Sequence, residues 1–154
     1  MHILPFEPRF APVFDALNRA WIEEFFWIEP LDNAVLGDPQ THIIAHGGEL
    51  WFAVEGDQVL GCCALIPQPD GLYEFTKLGV AESARGRGIA RALLRHCYGR
   101  AKALGTARLR IFTSTKLGPA NALYRSEGFI EIPMSDAQKA RYQRADIMYE
   151  RPLD

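Results

Sequence analysis

Apolar positions in the first third of the chain recur with a helical period. Phe10, Val13, Phe14, Leu17, Ala20, Trp21 and Phe25 share one face, and Glu24 alone is off type. Pro8 and Pro12 suit the start of such a helix, where a missing N–H costs little, and Pro30 marks its stop. A second short helix is predicted from Pro39 to His46, ended by Gly47 and Gly48. The period then changes. Leu50 to Val54 and Val59 to Ile66 are compact apolar runs joined by Gly56-Asp57, the pattern of a hairpin. The stretch Ile66 to Gly71 reads as a turn leading to a third strand over Leu72 to Val80. Ile89, Ala92, Leu93, His96, Cys97, Ala101 and Leu104 form one face of a long helix stopped by Gly105. A strand over Arg108 to Thr113, a helix from about Pro119 to Glu127, and strands over Phe129 to Ile132 and Ala145 to Glu150 complete the order. This order predicts an α/β domain with a mixed sheet and one parallel crossover near its middle.

Composition narrows the picture. The 154 residues fit one domain spanning 1–154, and 48% hydrophobic with 23% charged residues is an ordinary globular balance. A formal charge of −2 gives no general reason to expect nucleic acid or an anionic membrane as partner. The three cysteines form no Cys-x-x-Cys pair and read as small buried hydrophobes. No signal peptide or membrane span is visible, so a cytoplasmic location is expected.

Charge is nevertheless concentrated in one place. Arg85-Gly86-Arg87-Gly88-Ile89-Ala90-Arg91 lies between a strand ending at Val80 and the start of the long helix. A helix start carries unpaired N–H groups and the positive end of the dipole, and glycines let a ligand approach them. The arrangement suits a pyrophosphate. It equally describes a solvated basic turn. A dinucleotide fingerprint is excluded because Arg91 stands where its third small residue belongs, and a P-loop because the chain has no Gly-Lys.

Arg85 to Ala90 resembles the Arg/Gln-x-x-Gly-x-Gly/Ala signature of the GNAT acetyltransferases. Lys77-Leu78-Gly79-Val80 looks like that family's fourth strand, with glycine at 79 where a larger residue is usual. Asn121 to Phe129, with Tyr124 and Gly128-Phe129, is similar to its Asn/Tyr helix followed by Gly-Phe. The resemblance implies a mixed, mostly antiparallel sheet of about six or seven strands flanked by helices, with a V-shaped split between the fourth and fifth. It implies acetyl-CoA as cosubstrate. The pyrophosphate would lie on Arg85, Gly86, Arg87, Gly88, Ile89, Ala90 and Arg91. The pantetheine arm would pair with Leu78, Gly79 and Val80 as an added strand, and Asn121 would bond the same arm. Asn121 also suits a plain helix N-terminus.

Transfer to an amine requires a base, because an alkyl ammonium has a pKa near ~10.4 and no lone pair. It also requires an acid for the leaving thiolate. Glu74, between Tyr73 and Phe75 on the strand that would line the split, is the candidate base, though it also reads as a solvent-facing strand residue. Tyr124 is the candidate acid and a CoA contact; its phenol is protonated at neutral pH, and it also suits a core. His42 and His46 are spaced as on one helix face but lack a third ligand, so no metal site is expected, and His96 reads as a packed core residue. Trp21, Phe25, Phe26, Trp27, Tyr142, Arg144 and Asp146 would shape the acceptor pocket and suit a small zwitterion, or equally a core with a surface ion pair. The expected protein is an N-acetyltransferase acting on a small-molecule primary amine by direct transfer, as monomer or homodimer. The alternative is a non-catalytic acyl-CoA-binding module on the same fold.

Overall fold

The computed structural model describes residues 1–153. Its strands are His2–Pro5 (β1), Glu49–Glu55 (β2), Gln58–Pro67 (β3), Tyr73–Val80 (β4), Arg108–Thr113 (β5), Ile130–Ile132 (β6) and Ile147–Pro152 (β7). Its α-helices are Ala11–Phe25 (α1), Pro30–Gly37 (α2), Pro39–His42 (α3), Ile89–Ala103 (α4), Gly118–Ser126 (α5) and Asp136–Arg141 (α6). The strands form one seven-stranded sheet in the order β1-β2-β3-β4-β5-β7-β6. Only β4 and β5 run parallel.

Strand alternation divides the core into two layers. Leu50 and Phe52 of β2 and Cys62 and Ala64 of β3 face Phe14, Ile22, Leu36 and Ile43 on one side. Cys63, Leu65 and Phe75 face Leu93, Leu94, Cys97 and Tyr124 on the other. The buried stripe of α1 runs through Phe14, Asn18 and Ile22. Asn18 is tolerated there because its amide donates to Phe14 O at 2.9 Å and its carbonyl accepts the Trp21 indole N–H at 3.0 Å.

β4 carries the feature that shapes the site. Cys62 pairs with Gly79 and Ala64 with Thr76, so Lys77 and Leu78 together oppose the single residue Cys63. This is a β-bulge, with Lys77 left-handed at φ 56. The extra residue resets the alternation. Thr76 and Lys77 both reach one face, and Leu78 and Val80 return to the layer of Phe75. Gly79 then turns toward α1, where a Cβ would lie 3.1 Å from Leu17 Cβ and 3.2 Å from its carbonyl group. Glycine at 79 is therefore what lets α1 lie directly on β4.

Pairing between β4 and β5 is confined to Tyr73 with Leu109 and Glu74 with Arg110. Beyond that point the strands part, while β5 stays paired with β7 up to Thr113. This is the expected V-shaped split. Its closed end is pinned by Arg110, whose guanidinium meets Glu150 at 2.7 Å and Asp70 at 2.8 Å.

Some local expectations are corrected. Pro30 does not merely end a helix: it opens α2 at its first position, with Glu29 and Asp32 forming a capping box. The helix expected from Pro39 to His46 breaks at Ile43 (φ −120) into α3 and a 3₁₀ turn, so His42 and His46 do not share a helix face. β1 and α6 lie outside the elements read from the pattern.

Candidate active site

One end of the split meets the start of α4. Gly86 (φ 77) and Gly88 (φ 76) are both left-handed, and a Cβ at either would meet nothing within 4 Å. No side chain caps α4, so its first N–H groups face open space. The arginines divide. Arg87 pairs with Glu55 at 2.9 Å and Arg91 with Glu127 at 2.6 Å, while Arg85 has no ion pair among the described residues. Burial pushes the Glu127 pKa up, but hydrogen bonds from Arg91 and Arg95 outweigh it and hold the carboxyl below its ordinary value. Arg91 thus ties α4 to the end of α5.

Tyr124, on α5, is buried edge-on among Phe75, Phe129 and Tyr149, with ring centroids 6.0–6.4 Å apart. Its hydroxyl has no hydrogen-bond partner among the described residues. Burial first, then Cys63 and Tyr149, raises its pKa, so the phenol keeps its proton. Asn121 donates to Ser114 O at 2.8 Å and Leu117 O at 2.9 Å, which fixes the loop between β5 and α5. Its Oδ1 is buried and unpartnered among the described residues.

On the opposite face of the sheet a cavity of about 490 Å³ opens beside the split. Glu74, 5% exposed, stands in its wall. Its Oε1 accepts from Gln68 Nε2 at 3.1 Å and from the Tyr142 hydroxyl at 3.2 Å. Burial raises the Glu74 pKa, against the opposing charge of Lys77 and those two donors. Tyr142 is held by stacking on Phe112 at 3.9 Å. Trp21 and Phe26 form a second aromatic wall, their centroids 6.4 Å apart. Arg144 binds Asp32 through both carboxylate oxygens, at 2.7 and 2.8 Å, and so joins α2 to the segment before β7.

The structure thus gathers Glu74, Trp21, Phe26, Tyr142 and Arg144 at one cavity. It leaves out Phe25 and Trp27, which are 36% and 62% exposed. Asp146 is also elsewhere: it bonds Thr115 N and Oγ1 at 2.9 Å, and the partner of Arg144 is Asp32. His96 is partly buried and packs on Trp51 at 4.2 Å. Sequence reasoning did not find Gln68 or Asp32, and did not place Lys77 in the wall of this cavity. Asp32 carried one usable signal, since Pro30-Leu31-Asp32 has the proline and early acid of a helix start. No group of three or more metal-ligating side chains occurs among the described residues.

Comparison with known proteins agrees with this geometry. Over nearly its full length the fold matches a GNAT-family acetyltransferase from Staphylococcus aureus, with a TM-score of 0.87, 20% identity and 99% of each chain covered. It also matches ribosomal-protein-alanine N-acetyltransferase from Brucella melitensis, with a TM-score of 0.76, 20% identity, and 99% of this chain and 100% of that one covered. In sequence, the chain is 29% identical over 134 residues to an amino-acid acetyltransferase of Ralstonia nicotianae. The aligned part is 82% of this chain and 29% of that protein, so the chain spans under a third of that relative. The family model described as Acetyltransferase (GNAT) domain matches residues 46–131, more than half of the chain and the whole stretch from β2 through the α4 loop to β6. The chain belongs to the GNAT acetyltransferase family.

Proposed function

We propose that this protein transfers an acetyl group from acetyl-CoA to the primary amine of a small molecule, both substrates being bound at once. One observation carries the reading. A single split has an open, uncapped helix start at one end and a buried carboxylate in the wall of a cavity beside it. The open space at Gly86 and Gly88 fits a pyrophosphate approaching the α4 N–H groups, with Arg85 free to add charge. The edge of β4 at Leu78, Gly79 and Val80, which β5 does not cover, fits an amide-bearing arm. Asn121, at the start of α5, would meet the same arm through its unpartnered carbonyl after a small local adjustment.

Acetyl-CoA supplies the thioester carbonyl that the amine attacks. Glu74 takes the proton of the acceptor ammonium, directly or through one water. Its raised pKa makes it a stronger base than an exposed carboxylate. β4 N–H groups at the split stabilise the oxyanion. As the C–S bond breaks and the amide forms, Tyr124 gives its proton to the departing sulfur and regains one from solvent.

The test is release of free thiol from acetyl-CoA against a panel of primary amines, with the acetylated product identified by mass spectrometry. Turnover with at least one small amine is expected. Binding of CoA without thiol release for any amine would replace this reading with a non-catalytic acyl-CoA-binding module.

A further inference from the structure

The cavity contains a cation that the reaction as described does not use. Regular alternation would place residue 77 with Phe75, in the layer under α4 and α5. The bulge brings it instead to the face of Glu74 and Thr76, and Lys77 lines the same cavity. The position is unusual for its residue type. A φ of 56 suits glycine, and Lys77 is the one non-glycine residue with positive φ among those described. Strain of this kind persists where the side chain serves a purpose at a site.

The other cations of the cavity are engaged. Arg144 is held by both oxygens of Asp32. Arg141 lies over the Tyr142 ring at 5.4 Å. Lys77 has no hydrogen bond, ion pair or ring contact of its side chain among the described residues. Its partners are the longer-range fields of Glu74 and Asp32. Burial lowers its pKa; Glu74 and Asp32 oppose this only in part, and the charge of Arg144 adds to the lowering. An ammonium placed this way needs an anion to complete it.

We propose that Lys77 is the carboxylate anchor of the acceptor pocket, so that the amine acetylated here belongs to an amino acid or a close relative with its carboxylate near the amine. The inference rests on the acetyl-transfer reading above. A zwitterion matches both fixed charges: its ammonium goes to Glu74, which must receive the proton, and its carboxylate to Lys77. A dianionic group such as a phosphate would bring its second charge against Glu74 and Asp32, which one ammonium does not offset. An amine without an acid would leave Lys77 unpaired beside an incoming cation. Trp21, Phe26 and Tyr142 leave an apolar surface for the remainder of the molecule.

The experiment compares three forms of each acceptor: the free amino acid, its carboxamide and its decarboxylated amine. Wild type is expected to prefer the acid by about tenfold or more in kcat/KM. Lys77→Gly relieves the left-handed strain, so it should melt at the same temperature or higher. It should bind CoA as wild type does, and lose the preference for the acid mainly through KM. Lys77→Met, which keeps the stem and removes the charge, should lose it too. Thermal shifts in the presence of CoA, read for each acid against its carboxamide, give an arm that does not depend on turnover. Equal use of acids, carboxamides and amines by wild type would overturn the anchor and leave acetyl transfer standing. So would a preference that survives in both variants. Acids that bind through Lys77 without any thiol release would leave the anchor standing and remove the transfer reading. If no acid is turned over and none stabilises the protein more than its carboxamide, the anchor fails as well.

Discussion

At the scale of single residues, the proposed chemistry rests on Glu74, which burial makes a stronger base, and on Tyr124, a buried phenol that holds its proton firmly. Tyr124→Phe removes one hydroxyl and keeps the ring that packs on Phe75, Phe129 and Tyr149. Turnover should fall on the order of 10²-fold with CoA affinity little changed. Wild-type turnover in the mutant would reduce Tyr124 to a packing residue. Glu74 gives a prediction with a sign. Its folded pKa is raised above the ordinary 4.5, so the folded state keeps this proton to higher pH than the unfolded chain does. The stability it contributes is complete below about pH 4.5 and is lost as pH rises through the folded pKa. Glu74→Gln, neutral throughout, should gain on wild type in melting temperature across that window. Its activity should be reduced most at low pH and least near the acceptor amine's own pKa. A mutant whose rate and pH profile match wild type would remove Glu74 as the base. Glu74 was legible as a residue of the split from its place on the strand that would line it. Lys77 was not, because its orientation depends on an extra residue in one strand of a pair, and local sequence does not mark that. Asp32 was not, because its partner Arg144 is 112 residues away.

At the scale of elements, glycines set how closely things approach. Gly88 precedes α4 with open space where a side chain would begin. Gly88→Glu would fill that space with a carboxylate, and CoA binding should weaken by about 2 kcal/mol or more. Calorimetry showing unchanged affinity in the folded mutant would separate the loop from the site. Gly79 sets a different approach. A Cβ there meets backbone atoms of Leu17, which give less readily than a side-chain tip, so Gly79→Ala should destabilise by about 1–3 kcal/mol in a chemical melt. An unchanged midpoint would mean that α1 moves away freely. The elements with strong periodicity and turn residues were legible to within a residue or two: β2 to β5, α4 and α5. The missed ones share a cause. β1 is a four-residue strand with little alternation to read, and it exists because β2 has a free edge to pair with. α2 and α6 are short helices that begin with capping boxes, which a search for a long apolar face passes over.

At the scale of the whole molecule, one ion-pair cluster closes the end of the split and another bridges two segments that line the cavity beside it. Arg110, Glu150 and Asp70 fix the point where β4 and β5 begin to part. Asp32 and Arg144 join α2, from the first third of the chain, to the segment before β7, and both line the cavity that holds Glu74. Burial raises the Asp32 pKa, but the hydrogen bond from Arg144, the Glu29 N–H and the charges of Arg144 and Lys77 together hold it below its ordinary 3.8. The sign is opposite to that of Glu74. The stability from Asp32 is complete above about pH 3.8 and is lost as pH falls through the lowered folded pKa. Asp32→Asn keeps the shape, removes the charge and leaves Arg144 with a weaker acceptor. It should cost about 1–3 kcal/mol at neutral pH, and the gap to wild type should narrow as the medium becomes more acid than pH 3.8. Because the pair lines the cavity proposed for the acceptor and lies away from the α4 loop, the acceptor KM should rise while CoA affinity holds. Equal weakening of CoA and acceptor would show that the two halves of the split move as one body. An unchanged melt with an unchanged KM would mean that the cavity keeps its shape without this bridge.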